Sequence, residues 1–393
     1  MKSLASAYVN LLKTSIGSGV LNFPYLFKTY GMATAVALAL VAGACASTGL
    51  YLLMLCSQEV GRGADLGLLA AHSIPYARTL VDVAVFVKCF GVATSYVVIV
   101  GGLLPKLLAT FYDSPLLAYP PFCLGCYVLL ISPICYTRRL DTLKYTSAVG
   151  VVAVAFVVAA SVYRYSHELP AVDASFSYGH TPPSVYWLAG LGKFVFSFTC
   201  HQNIFYVYAE MEDNSLRRMR RLITVTALSA FFLYMAFGAS NYLIYGSTVR
   251  DNVLMNYPED LLASIVHVLY VVVMGVSYPL QLAPGKTYFM NLVGHFGGEK
   301  RKNSAAIGNV VTTVMILGTY AIAVSGVGLG FLYAIVGATA STFMSLILPA
   351  IYYLHADIEK TLLLTLMSYA SFLIGIFVFL TTIISLSLRI PVH

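Results

Sequence analysis

The sequence predicts an all-helical protein that crosses a lipid bilayer many times. Of its 393 residues, 59% are hydrophobic and only 10% are charged, and the mean hydropathy is +0.82. A soluble protein carries charge on about a quarter of its residues, so this chain has too little charge to cover a water-facing surface. The short alternating segments of a membrane β-barrel do not occur in it. The bilayer is therefore the expected solvent for most of the chain.

Eleven stretches reach the length of about 20 apolar residues that a helix needs to cross a bilayer. They lie approximately at residues 5–27, 32–57, 79–105, 118–136, 146–163, 185–209, 221–246, 261–284, 304–325, 328–354 and 361–388. The loops between them are short and hold nearly all the charge. We therefore expect one transmembrane domain, with lipid as its surroundings and no separate soluble domain.

The basic residues are divided unevenly between the two sets of loops. Of the 23 lysines and arginines, 14 fall in one set, 5 in the other and 4 inside or at the ends of spans. Basic loops stay in the cytoplasm during insertion, which predicts a cytoplasmic N-terminus. The net charge of +7 thus reflects membrane topology, and we expect no nucleic-acid partner.

Two of the spans carry signs of a broken helix. The first span contains Gly17-Ser18-Gly19 followed by Pro24, and the sixth contains the polar run Ser197 to Asn203. A helix breaks at membrane depth only where the freed backbone groups meet a cavity or a ligand. Interrupted helices at matching positions in two halves of a chain indicate a secondary transporter built from inverted repeats.

The spacing of the breaks predicts the internal organisation. The two breaks are five spans apart, so repeat one would cover about 5–163 and repeat two about 185–354, with an extra helix at about 361–388. Half-helix N-termini attract an anionic group and unwound carbonyls attract a cation, so a zwitterion such as an amino acid suits both. The simpler alternative is that the glycines only allow helices to approach closely.

Lys13, Lys88 and His201 lie inside the predicted spans, and we expect them to be buried. All 16 acidic residues lie in loops or at span ends, which removes the usual proton carrier. His201 could titrate, bind substrate or cap the broken backbone. The seven cysteines lie in or beside apolar spans, so we expect neither a disulfide nor a metal site, and no cofactor.

Around these breaks the chain resembles the eukaryotic amino acid/auxin permease family, in particular its fungal vacuolar and sodium-coupled neutral branches. The matching motifs lie at Asn10–Pro24, Gly91–Pro105, Leu140–Ser147, Phe196–Asn203 and Pro279–Lys286. The resemblance implies the leucine-transporter-like fold of the amino acid–polyamine–organocation superfamily: 11 helices, a 5+5 inverted repeat and discontinuous helices 1 and 6. It also implies transport of amino acids.

The resemblance also implies which residues bind substrate and the coupling ion. Substrate would be held by Thr14, Ser15, Ile16, Gly17, Ser18 and Gly19 of the first break, by Phe198, Thr199, Cys200 and His201 of the second, and by Ser95 and Tyr96 of the third span. In sodium-coupled members the ion lies between the first and eighth spans, where Ser277 matches a hydroxyl ligand.

Two departures from the family pattern concern ion coupling. Lys13 stands where sodium-coupled members carry an asparagine, and a fixed ammonium there would repel a cation and could replace it electrostatically. We therefore expect sodium-independent transport. Gly102 stands where many vacuolar members have an acid, so either His201 or a lysine carries a proton, or the protein is a facilitator.

The sequence predicts a secondary transporter for neutral or cationic amino acids that works by alternating access. The alternative is an amino-acid-sensing membrane receptor with little flux. An enzyme is not expected, because that would need clustered acids, bases or nucleophiles at membrane depth. The residues do not distinguish the plasma membrane from a vacuolar or lysosomal one, and they leave the oligomeric state open.

Overall fold

The computed structural model describes residues 3–112, 115–137, 146–168, 170–171, 173–182 and 185–388. The family-like segment 140–147 lies outside the described residues except for its last two positions. The helices are α1 (Leu4–Ile16), α2 (Phe23–Tyr30), α3 (Met32–Val60), α4 (Leu66–Ser73), α5 (Arg78–Phe111), α6 (Pro115–Ala118), α7 (Pro120–Cys135), α8 (Thr146–His167), α9 (Val185–Phe198), α10 (His201–Glu210), α11 (Leu216–Tyr245), α12 (Leu261–Gly297), α13 (Glu299–Lys302), α14 (Ala305–Val324), α15 (Leu329–Val336), α16 (Leu348–His355) and α17 (Leu362–Ser387).

Eight helices in the described part of the chain are long and apolar enough to cross a membrane. The chain is therefore an all-helical polytopic membrane protein. Three of the predicted spans are not among these eight. The fourth is α7, which has only 16 residues, and the first and sixth are each divided into two shorter helices.

The eighth span is longer than its apolar stretch predicted. It was expected to end near residue 284, but α12 continues through Pro279 and Pro284 to Gly297. Along this length it packs against α5, which is itself 34 residues long. Neighbouring helices compensate for the hydrogen bonds that a proline removes from a membrane helix, so the two prolines do not end it.

The tenth span contains two π-helical segments, Gly337–Ser341 and Phe343–Ile347, between α15 and α16. Glycines let other helices approach these segments closely. A Cβ built on Gly337 would collide with the backbone of Gly192 in α9, and one built on Gly49 of α3 would collide with the carbonyl of Ser345. π-Helical turns within α-helices are often found at functional sites.

Loop contacts gather at the two ends of the helix bundle. At one end, Arg62 donates to the carbonyls of Ala209 (3.0 Å), Met211 (2.7 Å) and Glu212 (3.1 Å), where α10 ends. At the other end, Arg164 of α8 binds Glu168 and also donates to Asp260 at the start of α12 (2.6 Å). The contacts of Arg62 and the contact of Arg164 with Asp260 join segments that are distant in the sequence.

Candidate functional site

The first break lies between α1 and α2. The last amide to follow the α1 pattern is that of Gly17, which donates to the carbonyl of Lys13 (3.1 Å). A short 3₁₀ turn, Gly19–Asn22, then leads into α2. A Cβ on Gly19 would lie 3.1 Å from the Cα of Ser197 in α9, so a side chain at this position would press on the neighbouring helix.

The second break is shorter than the polar run predicted. Only Thr199 and Cys200 separate α9 from α10, and Cys200 has φ −130° and ψ 19°. Thr199 turns its hydroxyl back onto the carbonyl of Val195 (2.6 Å). The two breaks are also tied together directly, because Asn203 of α10 donates its side-chain amide to the hydroxyl of Thr14 in α1 (2.6 Å).

Two tyrosines from other helices satisfy carbonyls that the breaks set free. The hydroxyl of Tyr234 in α11 lies 2.8 Å from the carbonyl oxygen of Ser15 and 2.5 Å from that of Ser197, so it spans both breaks. The hydroxyl of Tyr333 in α15 donates to the carbonyl of Ser18 (2.8 Å). Both tyrosines are fully buried. These hydrogen bonds satisfy carbonyls at the breaks, so the breaks are ordered and differ from frayed helix ends.

The two breaks leave backbone groups of opposite polarity without partners. Within the described residues, the amides of Ser18, Gly19 and Val20 donate to no backbone carbonyl. At the second break, no hydrogen bond to the carbonyl of Phe198 or Thr199 is found in the described ranges. Free amides attract an anion and free carbonyls attract a cation. The site can therefore receive a ligand that carries both charges.

A small cavity lies between the breaks. It is lined by Thr14, Ser15, Gly17, Ser18, Gly19, Lys88, Val92, Tyr96, Phe196, Thr199, Gln202 and Gln281. Its volume of about 20 Å³ holds about one water molecule, too little space for an amino acid. In this conformation the site is too narrow to hold such a substrate.

The cavity includes seven of the residues predicted to bind substrate: Thr14, Ser15, Gly17, Ser18, Gly19, Tyr96 and Thr199. Four others lie just outside it. Ile16 and Phe198 are buried in the apolar core, and Cys200 precedes α10. Ser95 contacts the first break from α5, with its hydroxyl 3.3 Å from that of Ser18.

His201, Lys13 and Ser277 are not in the cavity lining. The imidazole of His201 is fully buried against α3, where it lies beside Gly49 and the backbone of Ala46. His201 therefore does not cap the broken backbone. The side chain of Lys13 packs against α8, where a Cβ on Gly150 would lie 3.1 Å from its Cε. Ser277 is buried in α12, one turn from Gln281.

The structure adds lining residues that the sequence reasoning missed. Lys88, Val92 and Tyr96 recur every fourth residue, so they share one face of α5, and this spacing was the available signal. Gln281 of α12 lies beside the Tyr96 hydroxyl. Gln202, which follows His201 in the sequence, was not among the predicted site residues. Its buried side-chain oxygen lines the cavity without a hydrogen-bond partner in the described chain.

The charge of the lining is positive. Apart from Lys88, its polar side chains are hydroxyls and carboxamides, and no carboxylate of the described residues lines it. This agrees with the sequence, which places its acids in loops or at span ends. Among the described residues Asp82 is the one buried acid, and it lies in the second turn of α5 and accepts a hydrogen bond from Asn291 (3.2 Å).

Fold and site together define a class of protein: a polytopic membrane protein in which two broken helices meet at a buried polar cavity. Solved structures share this fold. A crystal structure of MhsT in complex with L-phenylalanine superposes with a TM-score of 0.61 at 13% identity, covering 96% of this chain and 98% of that one.

The sequence comparisons identify the family. The family described as "Transmembrane amino acid transporter protein" matches residues 2–389, so the chain belongs to it. Vacuolar amino acid transporter 6 of Saccharomyces cerevisiae is 27% identical over 89% of each chain. Sodium-coupled neutral amino acid transporter 7 of Xenopus laevis is 25% identical over 91% of this chain and 82% of its own length. The resemblance seen in the motifs is thereby confirmed, and the chain belongs to a family of transporters and not of enzymes.

Proposed function

We propose that this protein is a secondary transporter that moves amino acids across a eukaryotic membrane by alternating access, without sodium. The observation that carries the proposal is the pair of breaks, which present free amides on one side of the cavity and free carbonyls on the other. The carboxylate of an amino acid would bind at Ser18 to Val20, and its ammonium would bind near Phe198, Thr199 and Gln202.

The orphan oxygen of Gln202 supports this orientation. A buried acceptor without a partner costs about 1–3 kcal/mol, and a substrate ammonium would supply the missing donor. The free amides of the first break gain in the same way from a carboxylate, which has no proton to donate and accepts several hydrogen bonds. Binding at this position would therefore satisfy groups that the closed site leaves unmatched.

Alternating access accounts for the size of the cavity. At about 20 Å³ the site must widen before an amino acid can enter. The contacts at the two ends of the bundle are arranged to close it, because Arg62 holds the end of α10 and Arg164 holds the start of α12. Opening one end while the other remains closed would expose the site to each side of the membrane in turn.

Purified protein in proteoliposomes tests the transport activity. Counterflow of a panel of radiolabelled amino acids should show flux for at least one of them. Binding of amino acids without counterflow would instead support the sensing receptor. Gly17→Leu is the matched negative variant, because a Cβ at this position already comes within 3.4 Å of the Tyr96 hydroxyl and a larger side chain would fill the cavity.

The proposal of sodium-independent transport is based on two lysine side chains at or near the site. Lys88 lines the cavity, and Lys13 lies in α1 just before the first break. Fixed ammonium groups at these positions would repel a sodium ion and could take over its electrostatic role. Uptake that persists when choline replaces sodium supports this proposal, and uptake that collapses overturns it. A shift of the uptake rate with pH would then distinguish proton coupling from facilitated diffusion.

We further propose that the chain crosses the membrane 11 times, as a 5+5 inverted repeat with an extra helix, and that its N-terminus is cytoplasmic. The paired breaks support the repeat, and the 14-to-5 bias of basic residues supports the orientation. The membrane would be the plasma membrane or a vacuolar or lysosomal one. Reporter fusions at the two termini should appear on opposite faces, since the number of spans is odd.

A further inference from the structure

We infer that Lys88 determines the charge class of the substrate and excludes amino acids with cationic side chains. This inference rests on the proposed function and narrows the substrate range that the sequence left open. Its basis is the position of one buried ammonium group in the wall of the cavity, together with the absence of a carboxylate from the described lining.

Lys88 reaches the cavity from the same face of α5 as Val92 and Tyr96. Only 2% of its surface is exposed, so little water screens its charge. Tyr96, two turns along the helix, marks the level of the first break, because its hydroxyl is the nearest atom to a Cβ built on Gly17. Lys88 therefore contributes to the cavity wall about two helical turns from the level of the first break.

Two contacts of the side chain favour its ammonium form. Its Nζ donates to the hydroxyl of Ser341 in the first π-helical segment (2.9 Å). It also lies 3.9 Å from the centroid of the Phe196 ring, whose π face attracts a cation. Both partners are uncharged, and no ion pair to Lys88 occurs in the described residues. These contacts stabilise a charge on Nζ without neutralising it.

Three other lysines near the breaks do not line the cavity. The ammonium of the buried Lys193 lies 4.8 Å from the centroid of the Tyr25 ring. Lys13 packs against Gly150 of α8, and Lys28 of α2 donates to the carbonyl of Val249 (2.9 Å). A substrate side chain in the cavity would therefore meet the charge of Lys88. A neutral substrate side chain would not be repelled by this charge, and an anionic one would be attracted by it.

The size of the exclusion follows from Coulomb's law. Two like charges about 6 Å apart, at an effective dielectric constant of about 20, repel each other enough to weaken binding about 100-fold. Lysine and norleucine have side chains of similar length and differ by the terminal ammonium. The ratio of their inhibition constants in the same assay separates the effect of charge from that of size.

The experiment measures inhibition of counterflow in proteoliposomes by lysine and by norleucine. For the wild-type protein, we expect norleucine to compete about 100-fold better than lysine. Lys88→Met removes the charge with little change in volume and should reduce this ratio to within about tenfold. Lys88→Arg keeps the charge and should keep the exclusion. Lys106→Met is the matched control, because Lys106 lies on the same helix and donates to Tyr257 away from the cavity.

Equal competition by lysine and norleucine in the wild-type protein would overturn the inference. So would an unchanged ratio in the Lys88→Met protein. If that variant binds without transporting, ligand-induced thermal stabilisation gives the same ratio. Failure of the proposed function looks different, because the wild-type protein would then show counterflow with no amino acid at all.

Discussion

The hydroxyl of Tyr234 offers a direct test of how the two breaks are stabilised. It lies within hydrogen-bonding distance of the carbonyl oxygens of both Ser15 and Ser197, which no longer have a complete helix around them. Tyr234→Phe removes this hydroxyl and little else. The ring would keep its stacked contact with Phe23 (centroids 4.4 Å apart) and its edge contact with Phe198 (5.1 Å).

The expected loss of stability is about 2 kcal/mol. A buried polar group that loses its partner costs about 1–3 kcal/mol, and here the two carbonyls share one donor. Tyr127→Phe is the matched control, because the Tyr127 hydroxyl donates to the carbonyl of Val271 (2.8 Å), which lies within the continuous helix α12. That carbonyl keeps its helical partner, so we expect a loss of about 0.5–1 kcal/mol.

Unfolding in mixed micelles of dodecyl maltoside and sodium dodecyl sulfate measures both losses. Trp187 is the single tryptophan of the chain and packs against Tyr30, so its fluorescence follows unfolding without a label. The reasoning would be refuted if Tyr234→Phe cost no more free energy of unfolding than Tyr127→Phe. The breaks would then be stable without this hydroxyl.

Three further predictions concern the substrate space and the two ends of the bundle. Gly19→Val should reduce uptake at least about tenfold while leaving the gel-filtration profile unchanged, because its Cβ would lie 3.1 Å from the backbone of α9. Arg62→Ala should speed thiol labelling of Cys200 about tenfold, because α10 loses charged hydrogen bonds that hold it closed. Asp260 should make stability depend on acid pH. Partial burial raises its pKa, but hydrogen bonds from Arg164 and from the Ala263 amide more than offset this, so its pKa lies below the ordinary value. Its stabilisation is therefore present above about pH 4 and lost as the pH falls further.

Each of these predictions has a control and a contradicting result. Gly63→Val places the same side chain where a Cβ meets nothing within 4 Å, and equal loss of uptake in both variants would show that Gly19 is not special. Arg217→Ala removes a basic residue from the exposed start of α11, and Cys200 labelling should not change. Asp260→Asn should abolish the part of the acid dependence due to this group. An acid profile identical to the wild type would assign that dependence to other carboxylates.

The sequence predicted the polytopic helical fold and the place of both breaks, because those properties depend on local composition. Gly17 and Gly19 mark the first break in any environment, and a polar run such as Ser197 to Asn203 is unusual in an apolar span. The extent of the second break was not predictable. Only Thr199 and Cys200 leave the helix, since Asn203 and its neighbours are stabilised by contacts with α1 that the sequence does not reveal.

The cavity lining was harder to predict than the breaks. Hydrophobicity identifies the inside of a soluble helix, but every face of a membrane helix is apolar, so it does not show which face of α5 or α12 turns towards the site. Lys88 was recognised as buried but not as a lining residue, and Gln281 was not considered. The place of His201 beside the break suggested a role in the site, and that role stays a prediction, with the imidazole ring turned towards α3.

The use of tyrosines at the breaks has a consequence for the compartments in which such a protein can work. A phenol keeps its proton throughout the range from an acidic organelle to the cytosol. The hydroxyls of Tyr234 and Tyr333 therefore remain donors to the freed carbonyls on both sides of a proton gradient. A carboxylic acid of ordinary pKa would lose its donated proton at neutral pH. The hydrogen bonds from these tyrosines to the breaks therefore do not depend on the pH of the solution that the site faces.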